Sequence, residues 1–522
     1  MEKKKRRWPK IFGITLLVIV LVIAIIAVAG YFYIRSLLGG GAPEVNVTSD
    51  GNAIVTVTGG QISGGTDNGV YTFLGVPYAE AKERFKPASE VTPWNGVREC
   101  VEYGAISPQS SFFGGSDGQD NNCQNLNIWT PALNDGGKRP VLVWFHGGGL
   151  TSGSANDAQT NGRNLAEKEN VVVVTVNHRL GVLGYLDLSA YGEEYAESGN
   201  VGVLDMVASL EWVRDNIAAF GGDPDNVTIF GQSGGGAKVL ALMTTPRAKG
   251  LFHRAINESG ATVVLGPIFA TKEETSRVTE LTMQNLGVTD VSALQTIDFE
   301  RLNSVSSAAI NQVAVEFSKP GALGTGNTFE WMPVVDGDII PTHPLTENGF
   351  AEAGFDVPLL IGTNLNEWAF GFGINANMTD DEVLSQLRTT YGDSAEAVFE
   401  AFRAAYPDIA SVNALYIDRY LRPPILEITR HKAMQGGAPV YSYVMTYGNP
   451  SSVHGTEIPL VFANSTGAMN DKMSRIWAQF ARTGDPGWEA YTIDGGATMI
   501  LDEADRLAYH HDSELMALVG GN

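Results

Sequence analysis

The chain has 522 residues, 44% hydrophobic and 18% charged, which is a globular composition with enough apolar material for a large core. The first ten residues hold six basic side chains and one acidic side chain, a net +5, which leaves −28 for the rest of a chain whose total charge is −23. So acidic a body should repel nucleic acid, which binds proteins through basic patches, and we attribute the charge to solubility rather than to an acidic recognition surface.

An uncharged segment, residues 11–34, follows the basic residues 1–10. Its 24 residues exceed the roughly 20 that a helix needs to cross a bilayer. Because basic flanks stay in the cytoplasm, we expect a single-pass signal anchor, with residues 35–50 as a tether and the body outside the cytoplasm. The alternative is a cleaved signal peptide and a secreted protein, since AVA at 27–29 resembles a cleavage site. The apolar run continues past that site, which favours the anchor.

Beyond the tether, short apolar strands alternate with helical segments. Residues 141–145 (VLVWF) and 171–176 (VVVVTV) are apolar throughout, as expected of strands buried on both faces of a parallel sheet. Residues 204–220 have apolar side chains at helical spacing. This alternation predicts an α/β sheet. The other predicted elements are strands at 227–230, 358–362 and 440–445, a helix at 237–243, and more helical, polar regions at 270–330 and 375–435 that cap the sheet.

The stretch FGQSGGG places Ser233 between a predicted strand and a predicted helix. A nucleophilic serine needs an exposed Oγ, a base and donors for an oxyanion. A sharp strand-to-helix turn with small neighbours supplies the exposure. A second Gly-x-Ser-x-Gly, GGSDG around Ser116, has no predicted strand before it and no predicted helix after it. We therefore interpret Ser116 as a loop residue and predict Ser233 as the nucleophile.

A glycine-rich stretch, FHGGGL at 145–150, follows the predicted strand at 141–145. Consecutive glycines let backbone N–H groups approach a substrate oxygen closely. We predict Gly148 and Gly149 as oxyanion donors, together with Gly234, the residue that follows the predicted nucleophile.

These motifs resemble the type-B carboxylesterases, the family of para-nitrobenzyl esterases and cholinesterases. The resemblance spans roughly residues 45–515 and implies one α/β-hydrolase domain, residues 51–522, with a large, mostly parallel central sheet flanked by helices. It implies a small-molecule ester substrate and no cofactor, and it gives no indication of a protein partner or of a metal. The similar motifs, in the family's order, are RFKPA, LNIW, FHGGG, VNHRLG, GNVGVLD, FGGDPDNVTIFGQSGGG, FHRAINESG, PVVDG, GTNLNEW, HGTEIPLVF and FARTGDP.

The family uses a Ser–Glu–His triad in that chain order. Two further motifs imply where its acid and its base lie in this chain. GTNLNEW implies Glu367 as the acid, and HGTEIPLVF implies His454 as the base. Both follow predicted strands, and ligands gather at the carboxyl ends of such strands. The glutamate would orient the imidazole, which would take the serine proton. Ser259, in NESGA, matches a position from which a serine would orient the triad.

The chain has eight histidines, so a single one is weak evidence for a base. His146, inside the glycine-rich stretch, is the main alternative, and we interpret it as a support of that loop. We interpret His253 as structural. The adjacent His510 and His511 lie in a polar terminal stretch and are expected at the surface.

Cys100 and Cys123, the two cysteines, leave two arrangements open: one disulfide or two free thiols. The family pairs a cysteine like Cys123 with one beside an SPQ motif, whereas Cys100 lies several residues earlier. No Cys-x-x-Cys or His-Glu-x-x-His occurs, so no zinc site is indicated.

Other positions compare with the family as follows. Gln232 and Gly234 stand where many members have glutamate and alanine, and a neutral Gln232 should leave the site less negative. Asn121 and its neighbour replace an acidic pair, so an ion pair from Arg84 is not expected. Arg179 and Asp205 match a structural ion pair.

Two functional alternatives remain besides the esterase. A non-catalytic surface adhesion or scaffold protein can use the same fold, but such relatives lose the triad, and all three triad motifs are present here. Among enzymes, a lipase-like or amide-cleaving hydrolase stays open, because loops determine the acyl and alcohol pockets.

Overall fold

The computed structural model describes residues 47–49, 51, 53–110, 118–261, 269–319, 330–344, 346, 349–350, 353–369, 374–450 and 452–520. The anchor predicted at 11–34 lies outside these residues. Within them, no helix combines the length and the hydropathy that crossing a membrane requires.

The strands belong to one large mixed sheet and two small ones. In chain order, those of the described residues are β1 Ile54–Val57, β2 Gly60–Ser63, β3 Gly65–Asp67, β4 Val70–Pro77, β5 Val97–Glu99, β6 Asn125–Thr130, β7 Arg139–Phe145, β8 Val172–Val176, β9 Gly222–Gln232, β10 Arg254–Glu258, β11 Ala270–Thr271, β12 Val334–Val335, β13 Leu359–Asn364, β14 Val440–Met445, β15 Ala497–Leu501 and β16 Arg506–Tyr509.

The large sheet has the order β16-β15-β14-β13-β10-β9-β7-β8-β6-β4-β3 in the described part of the chain. Every pair from β15 to β8 is parallel, whereas β16 and the strands beyond β8 pair antiparallel. This is an α/β-hydrolase type of architecture, with a parallel centre and antiparallel edges. The small sheets, β1-β2-β5 and β11-β12, had no counterpart among the predicted elements.

Helices cover both faces of the large sheet. In chain order, those of the described residues are α1 Arg163–Glu169, α2 Gly181–Tyr185, α3 Val201–Asn216, α4 Gly234–Thr244, α5 Lys272–Leu286, α6 Phe299–Glu316, α7 Asp380–Tyr391, α8 Ala395–Ala405, α9 Arg422–Gln435, α10 Ile458–Val461, α11 Ala468–Thr483 and α12 Ser513–Val519.

Alternation along β7 shows how the core is divided between the two faces. Successive side chains of a strand point to opposite faces, and here both faces are buried. Val143 packs in one apolar cluster with Met206 of α3, and Trp144 packs in the other with Trp477 of α11. An apolar strand is therefore required at the centre of the sheet, as its sequence predicted.

The predicted elements agree with the structure most closely in the parallel centre. The strand expected at 440–445 is β14, and those expected at 141–145 and 358–362 match β7 and β13. The helix expected at 237–243 begins earlier, at Gly234. Its three leading glycines have low helix propensity, so the sequence obscures a start that tertiary packing determines.

Candidate functional site

Five neighbouring parallel strands deliver the predicted site residues to one edge of the sheet. The strands lie in the order β14, β13, β10, β9 and β7. The five segments that follow them carry, in the same order, His454, Glu367, Ser259, Ser233 and the glycine-rich loop at 145–150. The carboxyl ends of parallel strands share an edge, so residues from distant parts of the chain are brought together there.

Ser233 occupies a strained turn between β9 and α4. Its backbone has φ 59° and ψ −124°, in a region that L-residues rarely adopt. The conformation is fixed on both sides: the Ser233 amide donates to the Glu258 carbonyl at 2.8 Å, and the Ala237 amide donates to the Ser233 carbonyl at 3.1 Å. Ser233 is partly exposed, whereas Gln232 and Gly234 are buried. The turn therefore presents this serine to solvent, as a strand-to-helix nucleophile elbow requires.

Glycines around the serine are required by close backbone contacts. A Cβ on Gly235 would overlap the carbonyl oxygen of Phe145, and a Cβ on Gly234 would overlap that of Gly149. A Cβ on Gly231 would lie 2.5 Å from the carbonyl carbon of Gly235. The helix start thus packs directly against the end of β7 and its loop, with no room for side chains.

His454, Glu367 and Ser259 form one connected hydrogen-bond network. His454 Nδ1 lies 2.6 Å from Glu367 Oε2. Glu367 Oε1 accepts hydrogen bonds from Ser259 Oγ at 2.5 Å and from the Asn364 amide at 2.7 Å. The His454 amide also donates to the Glu367 carbonyl at 2.8 Å. The glutamate carboxylate is fully buried and fixed by three partners, so it holds the imidazole in a single orientation.

The environment of His454 makes its imidazole a stronger base than that of an ordinary histidine. Burial alone would lower its pKa, but the charge and hydrogen bond of Glu367, with contributions from Glu457 and Asp418, raise the pKa above its ordinary value. With Nδ1 engaged by the carboxylate, Nε2 is buried and has no hydrogen-bond partner among the described residues. This nitrogen is left to accept a proton from a reacting group.

Contacts between loops connect the serine with the histidine. A Cβ on Gly455, the residue after His454, would lie 3.8 Å from the side-chain nitrogen of Gln232, the residue before Ser233. A Cβ on Gly147 would lie 3.5 Å from Cβ of Ser233. The glycine-rich loop, the serine turn and the histidine loop therefore pack against one another.

The glycine-rich loop is a tight turn with left-handed backbone at two positions. Gly148 and Gly149 have φ of 87° and 61°. The Gly148 carbonyl accepts hydrogen bonds from the Ser152 amide at 3.1 Å and from Ser152 Oγ at 2.9 Å. Gly234, packed on Gly149, is the first residue of α4, so its N–H has no partner within the helix. The three predicted donors thus lie on adjoining segments.

Buried carboxyl groups around the triad were not predicted as a group. Glu457 accepts a hydrogen bond from Asn364 Nδ2 at 2.6 Å, and Glu258 accepts one from Trp477 Nε1 at 2.8 Å. Burial, reinforced by Glu367, raises the pKa of Glu457 and of Asp418 to about 7. Burial, with the nearby Glu457, also raises the pKa of Glu258 well above its ordinary value. These carboxyl groups are far apart in the sequence, so no local sequence pattern indicates that they form a cluster.

An indole ring lies over the imidazole of His454. The ring centroids of Trp368 and His454 are 4.8 Å apart, and the planes are inclined by 25°. The indole is partly exposed, so it forms part of the wall of the site. No sequence pattern predicted this stacking, although Trp368 directly follows Glu367 in the chain.

Ser116 lies outside the described residues. Two other histidines considered as bases have structural contacts. His146 is on the glycine-rich loop, with Nδ1 donating to the Gly147 carbonyl at 2.8 Å. His253 accepts a hydrogen bond from the Val227 amide at 3.2 Å, a structural role.

The surface position expected for His511 is wrong, whereas His510 is exposed as expected. The side chain of His511 is 5% exposed and packs edge-on against Tyr406, with ring centroids 5.1 Å apart. Burial lowers its pKa to about 4. The polar sequence around it misled the prediction, because Asp512 is itself buried in an ion pair with Arg422.

The two cysteines are free thiols, so the disulfide arrangement is not the one adopted. Both are buried, and burial raises the pKa of Cys100 to about 12 and that of Cys123 further. Protonated, buried thiols are poor nucleophiles. The described residues contain no group of three or more His, Cys, Asp or Glu side chains that could hold a metal ion.

Two arginines that were compared with family positions have the contacts expected of them. Arg179 and Asp205 form a buried ion pair at 2.6 Å, as the resemblance implied. Arg84 Nε donates instead to the neutral Asn121 side chain at 3.2 Å.

The sequence of this chain is similar to those of known carboxylic ester hydrolases. The family model described as "Carboxylesterase family" matches residues 51–498. The para-nitrobenzyl esterase of Bacillus subtilis (strain 168) is 32% identical over 500 residues, covering 88% of this chain and 97% of its own length. The phenmedipham hydrolase of Pseudarthrobacter oxydans is 33% identical over 503 residues, covering 87% and 96%.

Solved structures of esterases are also similar to this chain. An esterase from anaerobic Clostridium hathewayi, described as able to hydrolyse aliphatic aromatic polyesters, superposes with a TM-score of 0.80 at 35% identity, covering 91% of this chain and 99% of its own. The carboxylesterase EST55 of Geobacillus stearothermophilus at pH 6.2 superposes with a TM-score of 0.71 at 32% identity, covering 90% and 100%.

Proposed function

Because this chain belongs to the carboxylesterase family and is a serine hydrolase of carboxylic esters, we propose that Ser233 is its nucleophile, His454 its general base and Glu367 the acid that orients the base. The observation that supports these roles most strongly is the 2.6 Å contact between His454 Nδ1 and Glu367 Oε2, beside a serine held in a strained turn. The substrate is a small-molecule ester.

In the acylation half-reaction, Ser233 Oγ attacks the ester carbonyl carbon while His454 Nε2 takes the hydroxyl proton. Glu367 stabilises the resulting imidazolium without itself being protonated. The tetrahedral intermediate collapses, the bond to the alkoxy oxygen breaks, and His454 returns the proton to the departing alcohol. An acyl group then remains on Ser233.

Deacylation repeats these steps with water. His454 takes a proton from the water, whose oxygen attacks the acyl carbon. Collapse of the second intermediate releases the carboxylic acid and restores the Ser233 hydroxyl with the proton from His454. In both intermediates the carbonyl oxygen carries negative charge, which the amides of Gly148, Gly149 and Gly234 stabilise.

A non-catalytic scaffold role on the same fold is not favoured. The relatives matched across most of this chain are esterases and related hydrolases. The hydrogen-bond network of His454, Glu367 and Ser259 also has no evident use in a scaffold protein.

Replacing Glu367 by glutamine tests the assignment of the acid. We expect a folded protein whose kcat falls on the order of 10^3- to 10^4-fold, because the neutral amide neither fixes the reactive imidazole tautomer nor stabilises the imidazolium. The measurements are kcat on a chromogenic ester and the thermal unfolding midpoint.

The matched control is Glu457→Gln, the same substitution at a buried glutamate that does not contact the imidazole nitrogen. It should retain most of the rate. An unchanged kcat in Glu367→Gln would move the acid elsewhere, with Glu457 or Asp336 the next residues to test.

The pH dependence should reflect the raised pKa of His454. A protonated imidazole cannot accept the serine proton, so kcat/KM is lost as pH falls through that pKa, which lies above the ordinary value of 6.5. Glu457, whose own pKa is raised to about 7, is partly ionised in this range and contributes to raising the pKa of His454, so Glu457→Gln should shift the acid limb of the profile slightly to lower pH.

Glu258→Gln is the control for this shift. The charges that raise the pKa of His454 are those of Glu367, Glu457 and Asp418 rather than that of Glu258, so Glu258→Gln should leave the acid limb in place. An acid limb that stays in place in Glu457→Gln would mean that Glu457 does not act on the base.

We further propose that residues 11–34 form an uncleaved signal anchor, with residues 1–10 in the cytoplasm and the catalytic domain, residues 51–522, outside it on the tether 35–50. The support comes from sequence: the +5 charge before an uncharged run of 24 residues. The enzyme would then act on esters that do not enter the cell.

N-terminal sequencing of the native protein tests the anchor. We expect the intact basic decapeptide in the membrane fraction, and a chain starting near Ala42 should be soluble and fully active. A mature protein in the medium that begins near Gly30 would establish a cleaved signal peptide instead and would leave the esterase assignment untouched.

A further inference from the structure

Lys238 is a buried basic side chain that the catalytic scheme leaves unused. It lies in α4, five residues after Ser233, and is 0% exposed. Burial lowers the pKa of its amine well below the ordinary value, and no carboxylate among the described residues pairs with it. Burying a lysine in an apolar helix is costly, and methionine would fill the space without that cost. The position therefore points to a role for the amine itself.

The amine has a defined partner on the glycine-rich loop. Lys238 Nζ donates to the carbonyl oxygen of His146 at 2.8 Å. An amine donates hydrogen bonds whether charged or neutral, so the contact does not depend on its charge. The His146 ring stacks on that of His178 with centroids 5.1 Å apart, and burial, followed by the nearby Lys238, lowers the pKa of both imidazoles. The carbonyl of His146 is thus held by Lys238, and its ring packs against a second buried imidazole.

Three consecutive peptide groups of the loop each have a separate donor. The His146 carbonyl is held by Lys238, the Gly147 carbonyl by His146 Nδ1 at 2.8 Å, and the Gly148 carbonyl by Ser152. In a trans peptide the C=O and the following N–H point in opposite directions. Fixing these three carbonyls therefore also fixes the amides of Gly147, Gly148 and Gly149. Gly147 itself lies against Ser233.

We propose that Lys238 is a positioning residue for the oxyanion hole: it anchors the first peptide of the glycine-rich loop, which fixes the Gly147 amide directly and, through the chain, the place from which the amides of Gly148 and Gly149 reach the developing oxyanion. The inference rests on the proposed function, in which these amides stabilise the tetrahedral intermediates. Preorganised donors act mainly in the transition state. Loss of the anchor should therefore lower kcat and leave KM nearly unchanged.

A second buried lysine supplies a matched control. Lys432, in α9, is also 0% exposed, and its Nζ donates to the carbonyls of Gly354 and Phe355 at 2.7 Å. Lys432→Met removes a comparable amine and comparable hydrogen bonds from a region that does not hold the oxyanion loop. It should lower the unfolding midpoint without changing kcat, which separates general destabilisation from a catalytic effect.

The experiment compares wild type, Lys238→Met, Lys238→Gln and Lys432→Met. Four quantities are measured for each: the thermal unfolding midpoint, kcat and KM on para-nitrophenyl butyrate, and the inhibition constant of an aryl trifluoromethyl ketone. The serine oxygen adds to the carbonyl of this ketone and forms an oxyanion. For Lys238→Met we expect kcat and inhibitor affinity to fall together by about 10- to 100-fold. This decrease is no larger than the one caused by removing a direct oxyanion donor. KM should stay within about threefold of the wild-type value. Lys238→Gln keeps an N–H donor and should recover part of both.

The outcomes separate the two proposals. Mass spectrometry of wild type inactivated with diethyl 4-nitrophenyl phosphate, in which a serine Oγ displaces 4-nitrophenolate from phosphorus, should find the diethyl phosphoryl group on Ser233, and its absence there would overturn the proposed function. With that adduct present, wild-type kcat and inhibitor affinity in folded Lys238→Met would overturn only the role of Lys238. If Lys238→Met does not fold, the same comparison is made with Lys238→Gln, where kcat and inhibitor affinity equal to those of Lys432→Met would overturn it.

Discussion

Ser233→Ala is expected to lower kcat on a chromogenic ester by about 10^4-fold or more. The substitution removes only the Oγ that forms the acyl-enzyme, while the strained turn, with φ 59° at this position, is set by its surroundings. The variant should therefore keep its fold, because alanine is as small as serine and the turn is held by backbone hydrogen bonds. Steady-state kinetics and a thermal melt measure the two effects.

Ser116→Ala is the control, because Ser116 is the other serine in a Gly-x-Ser-x-Gly sequence. Its activity should be near wild type. An inactive Ser116→Ala together with an active Ser233→Ala would show that the wrong serine was chosen.

His454→Ala should be about as damaging, with kcat reduced by roughly 10^4- to 10^6-fold. Without the imidazole, the proposed acceptor of the Ser233 proton is gone, and the buried Glu367 loses one of its three partners. The double variant Ser233→Ala/His454→Ala should be no slower than either single variant, since the two side chains act in the same step. Kinetics on all three variants, measured with the same ester, test this non-additivity.

His510→Ala provides the comparison for the loss of an imidazole. His510 is exposed, so its removal should leave kcat unchanged. If the double variant is slower than both single variants by the product of their effects, Ser233 and His454 act independently, and the proposed triad fails.

The sequence predicted the frame of the site because each element carries its own local signal. β7 is apolar on both faces, and the serine turn is marked by glycines that leave no room for side chains. The resemblance of two motifs to those of the family implied Glu367 and His454, and both motifs follow short predicted strands. These features depend on residues close together in the chain, which is where patterns of sequence are informative.

The remainder depends on contacts between distant segments. The carboxyl groups of Glu258 and Glu457 act on one another only because β10 and the histidine loop meet in space. Taken singly, each looks like an ordinary surface acid. Lys238 did carry a weak signal, a lone charge within the apolar stretch AKVLALM, but its partner on another segment could not be identified without the fold. The misplacement of His511 has the same origin.

The order of the strands has a consequence for how the enzyme matures. The oxyanion loop and the proposed nucleophile, acid and base follow strands that are neighbours in space but span residues 139–445 of the chain. Such long-range pairing is slow to form, because distant segments must meet before their contacts stabilise them. A nascent chain that has emerged only as far as β13 already contains the nucleophile and its glycines but no base. Recovery of esterase activity during refolding therefore reports completion of the sheet as far as β14, later than any measure of helix content would.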